Sequence, residues 1–276
     1  MKNYDKAFLK WAGGKRKLLP NLLPMIGAPD VFIEPFCGSG VVWMNVESSR
    51  YIINDLNNDL ICLFKEVKIN GNEFISYAKD FFSPESNTSE KYYENRERFN
   101  SLEIGSSESS ALFIYLNRHA FNGLCRYNKK GGFNVPYGKY KNPKFPIEAI
   151  NIFATKSKKA EFVSMDFKKV FEIASKIGNS KDVVIYCDPP YVPLSETSSF
   201  TSYSPSSFGL SQQEDLAKCI RESQHTVVVS NSDTPKTREL YSELQLKEIL
   251  VSRTISANAK SRKKVSEIIA TNKSLR

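Results

Sequence analysis

Apolar positions recur along this chain with two different periods, and the switches between them mark its elements. Residues 31–36 form a short apolar run of the kind that makes a buried strand, and it enters the turn Gly38-Ser39-Gly40. The apolar stretch 41–46 that follows predicts a helix, giving strand, glycine turn, helix. A second strand is predicted over 50–54 and ends at Asp55, after which Leu60, Leu63, Phe64 and Val67 share one face of a helix over 56–68. From about Gly71 to Pro146 the character changes. Amphipathic helices are predicted over 89–102 and 108–122, separated by the serine-rich loop 105–110, with Gly123 as the stop of the second. Residues 126–137 then read as a hairpin turning at Gly131-Gly132.

Strand patterns resume at 161–164, 183–187, 226–230, 246–251 and 264–271, with helical candidates between several of them and a serine-rich loop at 195–211. Strands alternating with helices predict an α/β protein with a mostly parallel, doubly wound sheet. Its ligands belong at the carboxyl ends of the strands. The predicted division is a catalytic domain from 1–57 and 147–276, interrupted by a helical insert at 58–146 that carries the hairpin. At 276 residues the chain is long enough for such an arrangement.

Composition narrows the classes. No apolar run approaches the ~20 residues that cross a bilayer, and the N-terminus has no signal-peptide core, so a soluble, intracellular protein is expected. The five cysteines are scattered without a C-x-x-C pair and there are two histidines, which predicts neither a disulfide framework nor a metal site. Lys and Arg number 39 against 30 Asp and Glu, a formal charge of +9. Between Glu108 and Glu148 no acidic residue occurs, yet Arg118, Arg126, Lys129, Lys130, Lys139, Lys141 and Lys144 all lie there. Such a segment is either a polyanion footprint or a solvated basic face.

Three motifs carry candidate chemistry. In Phe36-Cys37-Gly38-Ser39-Gly40 a glycine turn between strand and helix admits a ligand close to the backbone, and Asp55 at the end of the next strand can accept hydrogen bonds from ribose hydroxyls. A third glycine is missing, since Met44 and Asn45 occupy its region, so a nucleoside-like cofactor fits better than a dinucleotide; a plain structural turn is the other reading. Residues 8–15 place Trp11 and Lys15 beside Gly13-Gly14, but Arg16 stands where a phosphate loop needs Ser or Thr, which excludes that motif. A surface segment with one buried Trp stays open there.

The third motif is Asp188-Pro189-Pro190-Tyr191, at the exit of the apolar run 183–187. Two prolines stiffen the chain as it leaves the sheet. The carboxylate and a backbone carbonyl fixed by the prolines then offer two acceptors for one amino group. An exocyclic amine on a purine is a poor nucleophile because its lone pair is delocalised into the ring, and two acceptors aimed at its hydrogens draw that pair back. Tyr191 is suited to stack on the base and hold the nitrogen in line. Cys187 has no evident catalytic partner and reads as a buried strand residue.

Residues 8–15, 34–40, 117–118 with 122–128, 133–138 and 188–191, in that order, closely resemble the Dam-type DNA adenine-N6 methyltransferases, in the α arrangement of amino-methyltransferases. The resemblance implies a seven-stranded S-adenosylmethionine-dependent methyltransferase sheet with an inserted target-recognition domain. The implied activity is methylation of the adenine N6 in GATC of double-stranded DNA, by base flipping and direct attack, in a bacterial or phage-encoded, cytoplasmic and monomeric enzyme. Carried over by position, Trp11, Lys15, Phe36, Gly38, Gly40, Asp55, Asp166, Phe167 and Asp188 hold the cofactor, and Asp188, Pro189, Pro190 and Tyr191 bind the target adenine. Lys10, Phe121, Asn122, Leu124, Arg126, Pro136, Lys139 and Tyr140 match positions that touch DNA. Arg126 suits bidentate reading of a guanine edge, Leu124 and Pro136 suit contact with a thymine methyl, and Phe121 suits a wedge in the base stack. Two departures stand out: relatives can carry tyrosine at 121, and arginine is common at 139, so Lys139 is expected on a phosphate. Competing readings are a methyltransferase of RNA or of a protein glutamine amide, and a catalytically silent DNA-binding relative.

Overall fold

The fold is that of a computed structural model describing residues 3–178, 181–191, 208–252 and 264–273. Its strands are β1 (Val31–Glu34), β2 (Arg50–Asn54), β3 (Ala160–Val163), β4 (Val183–Cys187), β5 (Thr226–Ser232), β6 (Gln245–Ser252) and β7 (Lys264–Thr271). They form one sheet in the order β3-β2-β1-β4-β5-β7-β6. β1 to β5 pair in parallel, and β7 runs antiparallel between β5 and β6. The expected doubly wound α/β architecture with seven strands is therefore present, with one reversed strand.

Successive residues of the central strands feed two separate cores. Phe32, Tyr51, Ile53, Val184, Tyr186, Val228 and Ile269 face one cluster, while Val31, Ile33, Ile52, Val183, Ile185, Val227 and Ile268 face the other. Burial on both faces explains why these strands read as continuous apolar runs. The helices are α1 (Leu19–Ile26), α2 (Asn58–Lys79), α3 (Ser89–Ser101), α4 (Ser107–His119), α5 (Ile147–Ser157), α6 (Phe167–Ser175), α7 (Leu210–Glu222) and α8 (Pro235–Leu240). The first cluster contains apolar residues of α1 to α5, the second those of α6 and α7. Leu60, Phe64, Tyr92, Phe113 and Phe133 share a cluster with Phe32 and Tyr186, so residues 58–146 and the sheet pack into one continuous core.

Two expectations are corrected. The helix predicted over 41–46 is only the single 3-10 turn Trp43–Asn45. The Asn45 side-chain amide donates to Val41 O at 2.8 Å, the acceptor that the Asn45 backbone amide would use in an α-helix, and Val46 is already extended with ψ of 135°. Second, α2 does not stop near residue 68 but runs to Lys79, with a break at Gly71, whose φ of 41° lies outside the helical range. Asn57 caps its start by accepting from the Leu60 amide at 3.0 Å. The hairpin over 126–137 is present as a narrow pairing: the amide of Asn128 donates to Gly132 O and that of Asn134 to Arg126 O. Most of the serine-rich loop lies outside the described residues, and its last two positions already belong to α7.

Candidate active site and nucleic-acid interface

The chain order reverses between β1 and β4, the neighbours at the centre of the sheet, so their carboxyl ends open a crevice. Both candidate turns leave the sheet at this point. After β1, Gly38 and Gly40 hold φ of 46° and 77°, conformations that glycine adopts without strain. A Cβ on Gly38 would stand 2.7 Å from Trp11 Nε1, so the bare backbone is what lets Trp11 cover this turn. The Gly38 amide donates to Asp55 Oδ2 at 2.9 Å, and the Asn57 amide donates to Asp55 Oδ1 at 2.9 Å. Burial pushes the Asp55 carboxyl above its usual range, and these two amides oppose that rise.

Phe36 and Phe167 bring their rings within 5.5 Å of each other, and Phe208 packs on both at 5.5 and 5.8 Å. Asp166 is exposed and caps α6, accepting from the Lys168 amide at 2.9 Å. Beneath the turn Asn54, 1% exposed, donates to Pro35 O and Met165 O and accepts from the Met165 amide. One side chain thus ties together the exits of β1, β2 and β3.

After β4 the four-residue turn is held on every side. Asp188 Oδ2 lies 2.9 Å from Lys15 Nζ, and Asp188 Oδ1 accepts from the Ser230 hydroxyl at 3.1 Å. Burial raises the Asp188 carboxyl above its usual range, and the Lys15 ammonium pulls it back toward ionisation. Lys15 Nζ also stands 4.5 Å from the centre of the Tyr191 ring and donates to Gly13 O at 2.7 Å. The Tyr191 hydroxyl donates to Glu267 Oε2 at 2.9 Å, and Gln213 Nε2 donates to Pro190 O at 2.7 Å. Lys15, expected at the cofactor, thus meets the Asp-Pro-Pro-Tyr turn directly.

A second constellation surrounds the end of α4. Asn117, buried within that helix, accepts from the Lys10 amide at 2.9 Å and donates to Lys10 O at 2.8 Å and Gly123 O at 3.3 Å. Lys10 Nζ lies 4.0 Å from the centre of the Tyr140 ring. Phe121 is 50% exposed, its amide donating to Pro136 O at 2.8 Å. Asn122 and Lys139 both have positive φ, 54° and 53°, which fixes two sharp bends in neighbouring loops. Arg126, exposed, donates through Nε to Asn134 Oδ1 at 2.8 Å across the hairpin. Leu124 is half-buried and Pro136 exposed. Lys10, Arg118, Tyr140, Asn142, Pro143 and Lys144 line an open pocket of about 300 Å³. His119 stacks on Tyr115 at 4.0 Å and is pushed down to about 4 by burial, a neutral core residue.

Sequence reasoning missed Asn54, Phe208, Gln213, Ser230 and Glu267. Polar Ser230-Asn231-Ser232 directly after the triple valine of β5 was a usable signal; Glu267 within β7 was a second.

A doubly wound sheet with a glycine turn and an Asp-Pro-Pro-Tyr turn side by side at its switch point defines a Rossmann-like methyltransferase. The model of the D12 class N6 adenine-specific DNA methyltransferases matches residues 11–255, and the chain belongs to that family. A DNA adenine methylase of Haemophilus influenzae is 46% identical over 271 residues, covering 96% of this chain and 93% of that protein. A DNA adenine methylase of Escherichia coli is 43% identical over 270 residues, covering 96% and 95%. This protein is accordingly an adenine-specific DNA methyltransferase. Among solved structures, a putative RNA methyltransferase from Pyrococcus horikoshii aligns over 98% of this chain and 91% of its own with a TM-score of 0.34 and 11% identity. No helix among the described residues is long and apolar enough to cross a membrane.

Proposed function

We propose that the enzyme transfers a methyl group from S-adenosylmethionine to the N6 of adenine in GATC, acting on an adenine flipped out of duplex DNA. The observation that carries the reading is the Asp188 carboxylate at the crevice, held in fixed orientation by Lys15 and Ser230. A carboxylate so held accepts one N6 hydrogen. Gln213 fixes the turn by donating to Pro190 O, and a backbone carbonyl held by the prolines accepts the other. Tyr191, fixed through Glu267, presents its ring to the base.

The residues at the glycine turn fit the nucleoside of the donor. Asp55 supplies a carboxylate for ribose hydroxyls, Phe36, Phe167 and Phe208 supply an apolar wall for a purine, and Gly38 lets the Trp11 ring lie against the turn. The bound donor would supply a methyl already activated by positive sulfur, which needs no covalent enzyme intermediate. Residues 58–146 serve target recognition: Phe121 as the wedge, Arg126, Leu124 and Pro136 toward base edges, and Lys10, Lys139 and Tyr140 around them. The basic pocket beside Lys10 supports a polyanion partner.

Plasmid isolated after expression of the protein should resist a nuclease that cuts only unmethylated GATC, and the purified protein should label a GATC duplex from radioactive S-adenosylmethionine. Labelling of duplexes irrespective of GATC would overturn the sequence assignment.

A further inference from the structure

The recognition loop has an inner side that none of these roles uses. In extended backbone successive side chains point to opposite faces. Arg126 and Asn128 are exposed, while between and before them Tyr127 is half-buried and Cys125 is 4% exposed. The inward pair grips the start of α2. The Tyr127 hydroxyl donates to Asp59 Oδ2 at 2.7 Å, and Asn57 Nδ2 donates to Cys125 Sγ at 3.6 Å. These contacts join residues 68 positions apart in sequence.

The same short segment is anchored at its other end to the glycine turn. Asp55 accepts from both the Asn57 amide and the Gly38 amide. Asn57 additionally caps α2 through Leu60, so its side chain serves the helix and the loop together. Residues 55–59 therefore form a brace between the loop that carries Arg126 and the turn that carries Gly38. A brace of part-buried polar contacts transmits a shift at one end to the other, because leaving a partner unmatched costs free energy.

We infer that this brace couples target reading to cofactor binding, with Tyr127 and Asp59 as positioning residues: engagement of the loop by the target bases sets Asp55 and the Gly38 turn for the nucleoside. The inference rests on the reading that DNA binds at the loop and the nucleoside at the turn. Because coupling between two sites is reciprocal, the cofactor must tighten binding of the target duplex by the same factor.

The test uses the full chain and S-adenosylhomocysteine, titrated calorimetrically with and without a short GATC duplex. In the wild type the duplex should tighten ligand binding by at least about fivefold, and a duplex lacking the site should not. Tyr127→Phe should bind the ligand alone as the wild type does and lose the gain from the duplex. Asp59→Asn, which keeps an acceptor for the phenol, should retain the gain and guards against a variant that merely folds poorly. Wild-type protein that binds both ligands independently, or Tyr127→Phe with its coupling intact, overturns the inference and leaves the function reading standing. Tyr127→Phe that loses ligand affinity equally with and without DNA makes the contact structural only and also overturns it. Wild-type protein that binds no S-adenosylhomocysteine at all instead removes the function reading on which the inference depends.

Discussion

Lys15 Nζ sits 2.9 Å from Asp188 Oδ2 while facing the Tyr191 ring at 4.5 Å. The N-terminal motif thereby supplies the counter-charge of the carboxylate proposed to accept the reacting amine. Burial raises the Asp188 carboxyl and Lys15 opposes the rise, so removing the ammonium must raise it further. Lys15→Met should move the acid limb of the kcat-pH profile to higher pH, since activity needs the ionised acceptor and is lost as Asp188 takes up a proton. An unmoved limb would mean that another group sets it.

Asp188 itself should separate chemistry from binding. Asp188→Asn replaces a charged acceptor by an amide and should lower kcat by roughly 10²–10³-fold or more, the scale of losing one electrostatic partner of the reacting group. S-adenosylhomocysteine binding should change little, because Gly38 and Asp55 are untouched. Single-turnover methylation and calorimetry on the same preparation check both halves.

Arg126 is now tied to Asn134. Arg126→Ala should cost ~1–3 kcal/mol in binding to the target duplex and relax one base position, as read from methylation rates on a panel of single-substitution sites. Equal weakening on every duplex would make the side chain a phosphate contact.

Glu34 is 1% exposed and accepts from the Trp43 amide at 3.1 Å, and burial pushes its carboxyl well above the ordinary value of 4.5. The folded chain thus keeps a proton that the unfolded chain releases above that value. Its contribution to stability is fully present below pH 4.5 and declines as pH rises toward the folded value. Glu34→Gln needs no such proton yet keeps the acceptor, so its Tm should gain on the wild type as pH increases. Thermal melts across pH 4 to 8, a range of about four units, give the comparison.

Gly40 has φ of 77°, and a Cβ there would lie 2.5 Å from Nε1 of the fully buried Trp43. Gly40→Ala should cost more than about 1 kcal/mol in denaturant unfolding, because the backbone conformation and the space both oppose it.

The strand pattern was legible because both faces of β1, β4 and β5 are covered, leaving apolar runs that end at turn residues. The turns at Gly38 and Asp188 were legible for the same reason. What escaped were partners chosen by sheet order. Tyr191 finds Glu267 76 positions away and Asp188 finds Ser230 42 away, because β5 and β7 lie on that side of β4, a neighbourhood no local spacing encodes. The failed helix at 41–46 has a local cause that its apolar composition hides: the Asn45 side chain takes Val41 O, the acceptor its own amide would use in an α-helix. At Gly71 the local signal was sound, and the chain simply resumes helix beyond the break.

β7 is the last strand in sequence, yet it is inserted between β5 and β6 and carries the acceptor for Tyr191. The Tyr191 ring is therefore set by two strands that are not neighbours in the sheet, its backbone by the parallel strand β4 and its hydroxyl by the antiparallel strand β7. Detaching β7 from β5 would free the ring while leaving the parallel pairings of β1 to β5 in place.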